Sequence, residues 1–517
     1  MKSFLLLGLF LLVSSVSGLR AQTVFKDMAP ILYANCTSCH HDGGIATDFT
    51  KYSFVNAMSA TIKSYVNSGQ MPPWPADPGY RHYVHERVLN ASDKAALIAW
   101  IDNGAPAGDT TLAPPAPVYG STQLFGTPDL ILNLPKVTST ATSTDHYYCV
   151  NVPSGLVQDR YIRAFEFVPG NASLIHHAVI TIDTTGTAVD DLSGGCYNFQ
   201  GQVGIGDYAP GMGPTVLPGV LPVKFGFRLK AGSTLSFQIH VPEGTAGQQD
   251  SSQLRLYFYP IGESGIRPMF FETVLQNWSF SVPANDTLTV TQKYPGASGV
   301  PAALSLYGAF PHSHNTCTSI LNFAWKLTDT IPLIRIPEWD FHWQMQYTFK
   351  NLIKMPQGYR LYSAHHFDNT VNNPHTPNPN VPVVAGTNTD DEMLFDSYLF
   401  ALYQTGDESV DIEALLLSDP LFYPTQNLEF SQLVPYWNVY PNPSDNQFIF
   451  DGQLTTSQFA QLQILDLQGR VLATCYHGIA AAGHHRFEWN GQGMPRGNYM
   501  YRMQAGSVQK SGLLSLR

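Results

Sequence analysis

Apolar and polar residues alternate along most of this chain. Runs such as "STLSFQIHV" and "LRLYFYP" put an apolar side chain at every second position, the period of a strand with one buried face. That character extends from about residue 125 to 425, with a division near 268. After a loop around 425–433 it resumes in a compact β segment over 434–517. Helical patterning is confined to 22–108. There "VFKDMAPILYAN" leads up to Cys36, and "NASDKAALIAWIDNG" offers Ser92 as N-cap with Gly104 past the helix end. Between the two regions, 109–124 reads as a Pro-rich linker. The pattern predicts a multidomain, mainly β protein: a small α-helical domain, β domains over 125–267 and 268–425, and a small C-terminal β-sandwich.

Composition agrees. Of 517 residues, 44% are hydrophobic and 13% charged, enough to bury several cores. The 42 glycines and 37 prolines favour short strands and turns over helical bundles. A formal net charge of -11, with no basic block, excludes nucleic acid as an expected partner. Lys2, an apolar core from Phe4 to Val13 and small residues to about Ala21 predict a signal peptide over 1–21. No later stretch reaches about 18 consecutive apolar residues, so no transmembrane anchor is expected. Export would also let disulfides persist.

Cys36-Thr37-Ser38-Cys39-His40 is a C-x-x-C-H motif. Two thiols on one turn can form thioethers with the haem vinyl groups, and the adjacent imidazole then reaches the iron. Met71, 31 residues after His40 in "SGQMPPWPADP", is the expected sixth ligand. A Met–His axial pair raises the haem potential and suits electron transfer. His41, His82 and His85 are the alternatives. With its motif helix, Met-Pro loop and closing helix bearing Trp100, segment 22–108 resembles a class I cytochrome c, which implies one covalent haem c.

The middle region gathers histidines in three places: His176-His177, His240 in "SFQIHVPEG", and His312-x-His314 in "GAFPHSHNT". Neighbours on a flat strand point to opposite faces, so a metal shared by His176 and His177 needs a twisted or edge strand. An H-x-H pair puts both imidazoles on one face. Met393, in "GTNTDDEMLF", adds a soft donor, and a His2Met set with an open position favours copper.

Taken together, HH, then His after 63 residues, HxH after 72 more and DEM-Met after 79 more resemble the copper type II, ascorbate-dependent monooxygenases, over roughly 125–425. The peptidylglycine α-hydroxylating and dopamine β-monooxygenases belong to that family. The resemblance implies two tandem antiparallel jelly-roll β-sandwich domains facing each other across a cleft. It implies an electron-transfer copper on His176, His177 and His240, and an oxygen-taking, catalytic copper on His312, His314 and Met393. It also implies a Cys149–Cys196 disulfide, leaving Cys317 and Cys475 unpaired, with Cys317 expected as an idle packed thiol. His365, His366 and His375, in "YSAHHFDNTVNNPHTPNPNVPV", are expected in a loop forming cleft wall, and His342 is expected to be structural. The peptide hydroxylase clamps a substrate carboxylate with an Arg, an Asn and a Tyr. Phe310, Phe395 and Ser397 stand in those places here, so a glycine-extended peptide is not expected.

The C-terminal segment, with Tyr440-Pro-Asn-Pro443, Asp466 to Gly469 and Gly497-Asn-Tyr499, resembles the type A sorting domain of type IX secretion. Its His477, His484 and His485 are expected on the surface. The combined expectation is an exported monooxygenase, secreted or held on the outer cell surface after a periplasmic step. It would hydroxylate a C–H bond of an organic substrate with dioxygen. Its electrons would come from ascorbate or another donor and pass through the tethered haem. Two competing readings are a non-catalytic haem/copper electron-transfer or copper-binding protein, and a zinc-bound structural or adhesion module.

Overall fold

The computed structural model describes residues 22–42, 46–117, 124, 127–198, 200–210, 212–417, 419, 433–434, 436–455, 458–466, 471–481, 483–506 and 508–517. The signal peptide expected over 1–21, stretch 118–123 of the linker and most of the 425–433 loop lie outside the described residues. The chain forms two compact units, Met1–Pro73 with Arg87–Tyr119, and Trp74–Glu86 with Gly120–Arg517.

The first unit is helical: α1 (Phe25–Asn35), α2 (Tyr52–Ala57), α3 (Ser59–Ser68) and α4 (Ala91–Asp102). Phe25, Met28, Ala29 and Leu32 recur at helical spacing on α1 and share a core with Phe49, Val55, Ile62, Leu97 and Trp100. Gly104 follows α4 at φ 85°, as expected of a residue past a helix end. The N-cap is Asn90, not Ser92. Asn90 is extended and its side chain accepts from Asp93 N, while Ser92 lies inside the helix and donates to Asn90. Residues 74–86, read from sequence as part of the helical domain, belong to the second unit. Tyr83 is buried there, donates its hydroxyl to Leu333 O at 2.8 Å and bridges to Phe349.

A nine-stranded sheet runs through the second unit. Its members in chain order are β1 (His146–Pro153), β2 (His177–Asp183), β3 (Asp191–Gly194), β4 (Val203–Tyr208), β5 (Thr234–Val241), β6 (Phe270–Asn277), β7 (Leu304–His312), β8 (Tyr347–Met355) and β9 (Leu394–Leu402). The spatial order is β8-β7-β9-β6-β4-β2-β5-β1-β3. A six-stranded sheet that includes Arg160–Val168, Lys224–Leu229 and Gln253–Phe258 shares a core with β1, β2 and β5, formed by Phe165, Phe225, Leu254, Ile180 and Phe237 among others. A four-stranded sheet containing Cys317–Lys326 and Arg360–Asp368 shares a second core with β6–β9 through Leu275, Leu306, Ile320, Phe349 and Phe367. Residues 436–516 form two further sheets around Phe448, Phe450, Ile464, Trp489 and Tyr501.

The expected division near 268 falls just before β6. The two halves are nevertheless not separate, because β6 pairs with β4 of the first half at Phe271 and Gly204. A Cβ on Gly204 would lie 2.8 Å from both the Phe271 ring and its carbonyl oxygen, so only glycine allows this approach. Side-chain ties reinforce the junction. Arg267 makes two 2.7 Å hydrogen bonds to Asp407, with side-chain exposures of 12% and 5%, and Tyr307 OH donates to Val216 O at 2.8 Å.

Gly204→Ala should therefore cost about 1–3 kcal/mol of unfolding free energy through overpacking. Gly296 has open space around its Cβ position. Gly296→Ala should be neutral or stabilise by up to about 1 kcal/mol. Equal effects of the two changes in denaturant unfolding would contradict the role given to Gly204.

Candidate metal centre and cleft

Strand alternation aims the site. In β5, Leu235, Phe237, Ile239 and Val241 enter the first core, so Ser236, Gln238 and His240 face the other way. In β2, Ala178, Ile180 and Ile182 take the core side and leave His177 and Val179 on the same outer face. His240 lies directly opposite His177 in the β2–β5 pairing. His176 precedes the strand at a bend, where its N–H donates to His240 O at 3.0 Å. The bend supplies what a flat strand forbids, and three imidazoles converge.

Their Nδ1 atoms lie 3.4 Å (His176–His177), 3.1 Å (His176–His240) and 3.2 Å (His177–His240) apart. A point equidistant from the three is about 1.9 Å from each, close to the ~2.0–2.1 Å of a metal–imidazole bond. The three imidazoles of His176, His177 and His240 would thus fit as ligands of one metal ion. Burial, helped by the neighbouring imidazoles, pushes His176 down to about 3 and His177 far below its usual value. Both rings are therefore neutral at physiological pH, the form that ligates metals. The Nε2 side of His240 faces the buried Asp145 carboxylate at 3.3 Å, an electrostatic contact rather than an aligned hydrogen bond. Burial alone would raise Asp145, but the electrostatic pull of the adjoining His240 ring and hydrogen bonds from Thr389 and the Glu243 backbone outweigh it and hold the acid ionised. Tyr147 stacks flat on His240 at 4.4 Å.

The second group closes β7. His312 ends the strand and His314 lies in the turn beyond it, with the two rings 5.2 Å apart. His312 Nδ1 contacts Gln344 Oε1 at 2.6 Å, and His314 Nδ1 contacts Asp391 O at 3.1 Å. Both partners are acceptors, so both Nδ1 atoms carry the proton and each Nε2 keeps its lone pair for a metal. Glu392, fully buried, gathers the turn by accepting from His314 N (3.0 Å), Thr316 N (2.6 Å), Cys317 N (3.1 Å) and Met393 N (3.1 Å). Ser313 Oγ donates to Met393 O at 2.6 Å. Met393 is thereby tied beside the H-x-H turn.

The two groups adjoin. The His177 and His312 rings are 6.1 Å apart, and Phe341 stacks on His176 at 4.9 Å while meeting His314 edge-on at 5.6 Å. A cavity of about 250 Å³ opens against His177, His312 and Met393. Phe310, Phe395 and Ser397 all line it. Cys149 and Cys196 form a disulfide with Cα atoms 5.8 Å apart, which fastens the loop carrying the cavity residues Tyr197 and Asn198 to β1.

In the helical unit, Cys36 caps α1 and His40 N donates to Cys36 O at 3.0 Å, so the C-x-x-C-H residues share one turn. His40 Nδ1 contacts Thr47 O at 3.0 Å, which leaves Nε2 for an iron. Burial pushes the Cys36 thiol up to about 12, opposite to the depressed thiolate of a redox C-x-x-C pair. The residues fit covalent haem on these counts. Met71 lies just past α3, its N–H donating to Tyr65 O at 3.2 Å. Of the alternative ligands, His41 contacts Thr37 O at 2.9 Å, and His82 and His85 fall in the second unit.

Other histidines differ from expectation. His365 and His366 lie on the strand Arg360–Asp368, not in a loop. His365 is fully buried against Asp396 at 3.1 Å in the second core, because strand alternation turns it inward. His342, expected to be structural, is exposed and contacts only Asp340 among the described hydrogen bonds. Cys317 is buried, as expected, with burial raising its thiol. Sequence reading missed Asp145, Phe341, Gln344, Glu392 and Asp207. Only Glu392, next to Met393 in "DEM", carried a local signal.

Residues 438–513 match the family described as the secretion system C-terminal sorting domain. Such a tail fits a type IX secretion machinery as partner and a secreted or cell-surface location. No helix among the described residues is long and apolar enough to cross a membrane. No curated protein matches the chain. Among solved structures, β-glucuronidase from Ruminococcus gnavus in complex with uronic isofagomine is 9% identical, with 50% of this chain and 46% of that chain covered and a TM-score of 0.13. Its apo form is 8% identical over 50% and 47%, with a TM-score of 0.12. The chain thus spans just under half of those enzymes, and at such values they assign it neither fold nor activity.

Gln344→Ala should weaken metal binding at the H-x-H group by about 10–100-fold and leave the three-histidine group unchanged. Asp145→Asn should do the reverse. Competition titration against a chromophoric chelator reads both. Equal losses at both groups from either change would contradict the separate roles.

Proposed function

We propose that the second unit is the core of an exported copper monooxygenase that hydroxylates a C–H bond of an organic substrate with dioxygen. In this reading the first unit is a c-type cytochrome that supplies electrons. The observation that carries the proposal is the convergence of the three Nδ1 atoms of His176, His177 and His240 beside the cavity that also holds His312 and Met393. Two donor sets of different softness share one cleft, which fits a one-electron store beside an oxygen-reducing centre better than two structural zinc ions.

Copper at these sites would supply one-electron chemistry and dioxygen reduction, with one oxygen atom entering the product as hydroxyl and the other leaving as water. The chain's own residues do the rest. His176, His177 and His240 would hold the electron-storing ion, with Asp145 beside the far edge of His240. His312, His314 and Met393 would hold the other, with their lone pairs fixed by Gln344 and the Asp391 carbonyl. Phe310 and Phe395 line an apolar wall that limits water near the reacting carbon. Tethering would keep a reduced haem at an effective concentration of around millimolar for a short linker.

Purified protein with its haem in place and copper reconstituted should hold two copper ions per haem iron after loosely bound metal is removed. Zinc in preference to copper, or no copper, would overturn the proposal. In ¹⁸O₂, a turned-over substrate should gain one labelled hydroxyl for every two electrons consumed, and His312→Ala should abolish that product.

A further inference from the structure

The cleft contains one acidic side chain with no partner among the described residues. Asp207 lies on β4 directly opposite Val179 of β2, two residues along from His177, and lines the cavity with it. Among the described residues its carboxyl makes no hydrogen bond or ion pair, and no Lys or Arg lines the cavity. Tyr147, Tyr197, Phe271, Trp278, Phe310 and Phe395 give the walls aromatic faces, set among uncharged polar side chains such as Gln238 and Gln276. Desolvation with no compensating partner pushes Asp207 up to about 7.

A desolvated carboxyl without a counter-ion is costly to keep ionised, and the cost is relieved when a cation or strong donor arrives. Aromatic faces attract the same charge through their quadrupoles. An anionic ligand would meet no Lys or Arg and would lie close to Asp207. The geometry points to Asp207 as the specificity-determining residue of the cleft, anchoring the protonated nitrogen of an organic cation whose apolar body rests on the aromatic walls. The assignment takes the cleft to be the substrate site and so rests on the proposed function. Asp207 is a binding group here and transfers no proton in the assignment.

The test is calorimetric binding of three matched probes, benzylamine, benzyl alcohol and benzoate, to the full-length, copper-loaded protein, with copper content measured on the same sample. Benzylamine should bind about tenfold or more tighter than benzyl alcohol, the advantage of a charge-assisted hydrogen bond, and benzoate should not saturate. In Asp207→Asn the amine's advantage should fall to within about twofold, with benzyl alcohol unaffected. Equal binding of amine and alcohol by the unaltered protein, or preference for benzoate, would overturn the assignment without need of a variant. Two bound coppers without amine preference would sink this inference alone. Amine preference in a protein that takes up no copper would sustain Asp207 as a cation anchor and overturn the monooxygenase reading.

Discussion

The meeting of Gly204 with Phe271 is the constraint on which the rest of the second unit depends. Without a Cβ at Gly204, β4 and β6 come within pairing distance and two sandwiches become branches of one sheet. Because side chains alternate along every strand, one continuous sheet means one continuous outer face. His177, Val179, Asp207, Gln238, Phe310 and His312 come from four strands, yet all line the same cavity. A cleft between independently hinged domains would leave the separation of the two histidine groups free. Here pairing, the Arg267–Asp407 bridge and the hydrogen bond from Thr389 to Asp145 fix it.

That fixed face gives the imidazole cluster its meaning. Three neutral rings with their Nδ1 atoms about 3 Å apart gain little from one another, since a shared proton can satisfy only one pair at a time. A metal ion satisfies all three at once. Neutral rings, acceptors behind the second pair's Nδ1 atoms and a carboxylate behind His240 are the supports that usually orient metal ligands. They also divide the labour. The first group offers nitrogen alone, while the second adds the Met393 thioether and faces the aromatic cavity. Electron storage and oxygen chemistry would thus sit side by side, with the substrate at the second.

Much of this was legible in the sequence wherever spacing alone decides. The alternation in "STLSFQIHV" separates core from cleft residues correctly, and the helical spacing of Phe25, Met28 and Leu32 finds the first unit's core. Spacing cannot reveal a bend, so the convergence of His176 with His177 could be stated only as a condition. It cannot reveal pairing between distant strands either, so the shared sheet, the position of Asp207 opposite Val179 and the role of Gln344 stayed hidden. Ser92 lost the capping role to Asn90 because a cap depends on which residue is extended, and both side chains were chemically suitable. His365 misled because an Asn- and Pro-rich sequence follows it, while the residue itself takes an inward position within the strand Arg360–Asp368.

The central claim is that the cleft holds two copper centres of unlike donor sets. X-ray absorption at the copper edge of the reduced, copper-loaded protein tests it most directly. The account predicts imidazole scattering from both ions and one sulfur scatterer shared over two coppers, which disappears in Met393→Ala while the three-histidine signal stays. Nitrogen and oxygen scattering alone, or a sulfur signal indifferent to Met393, would contradict it.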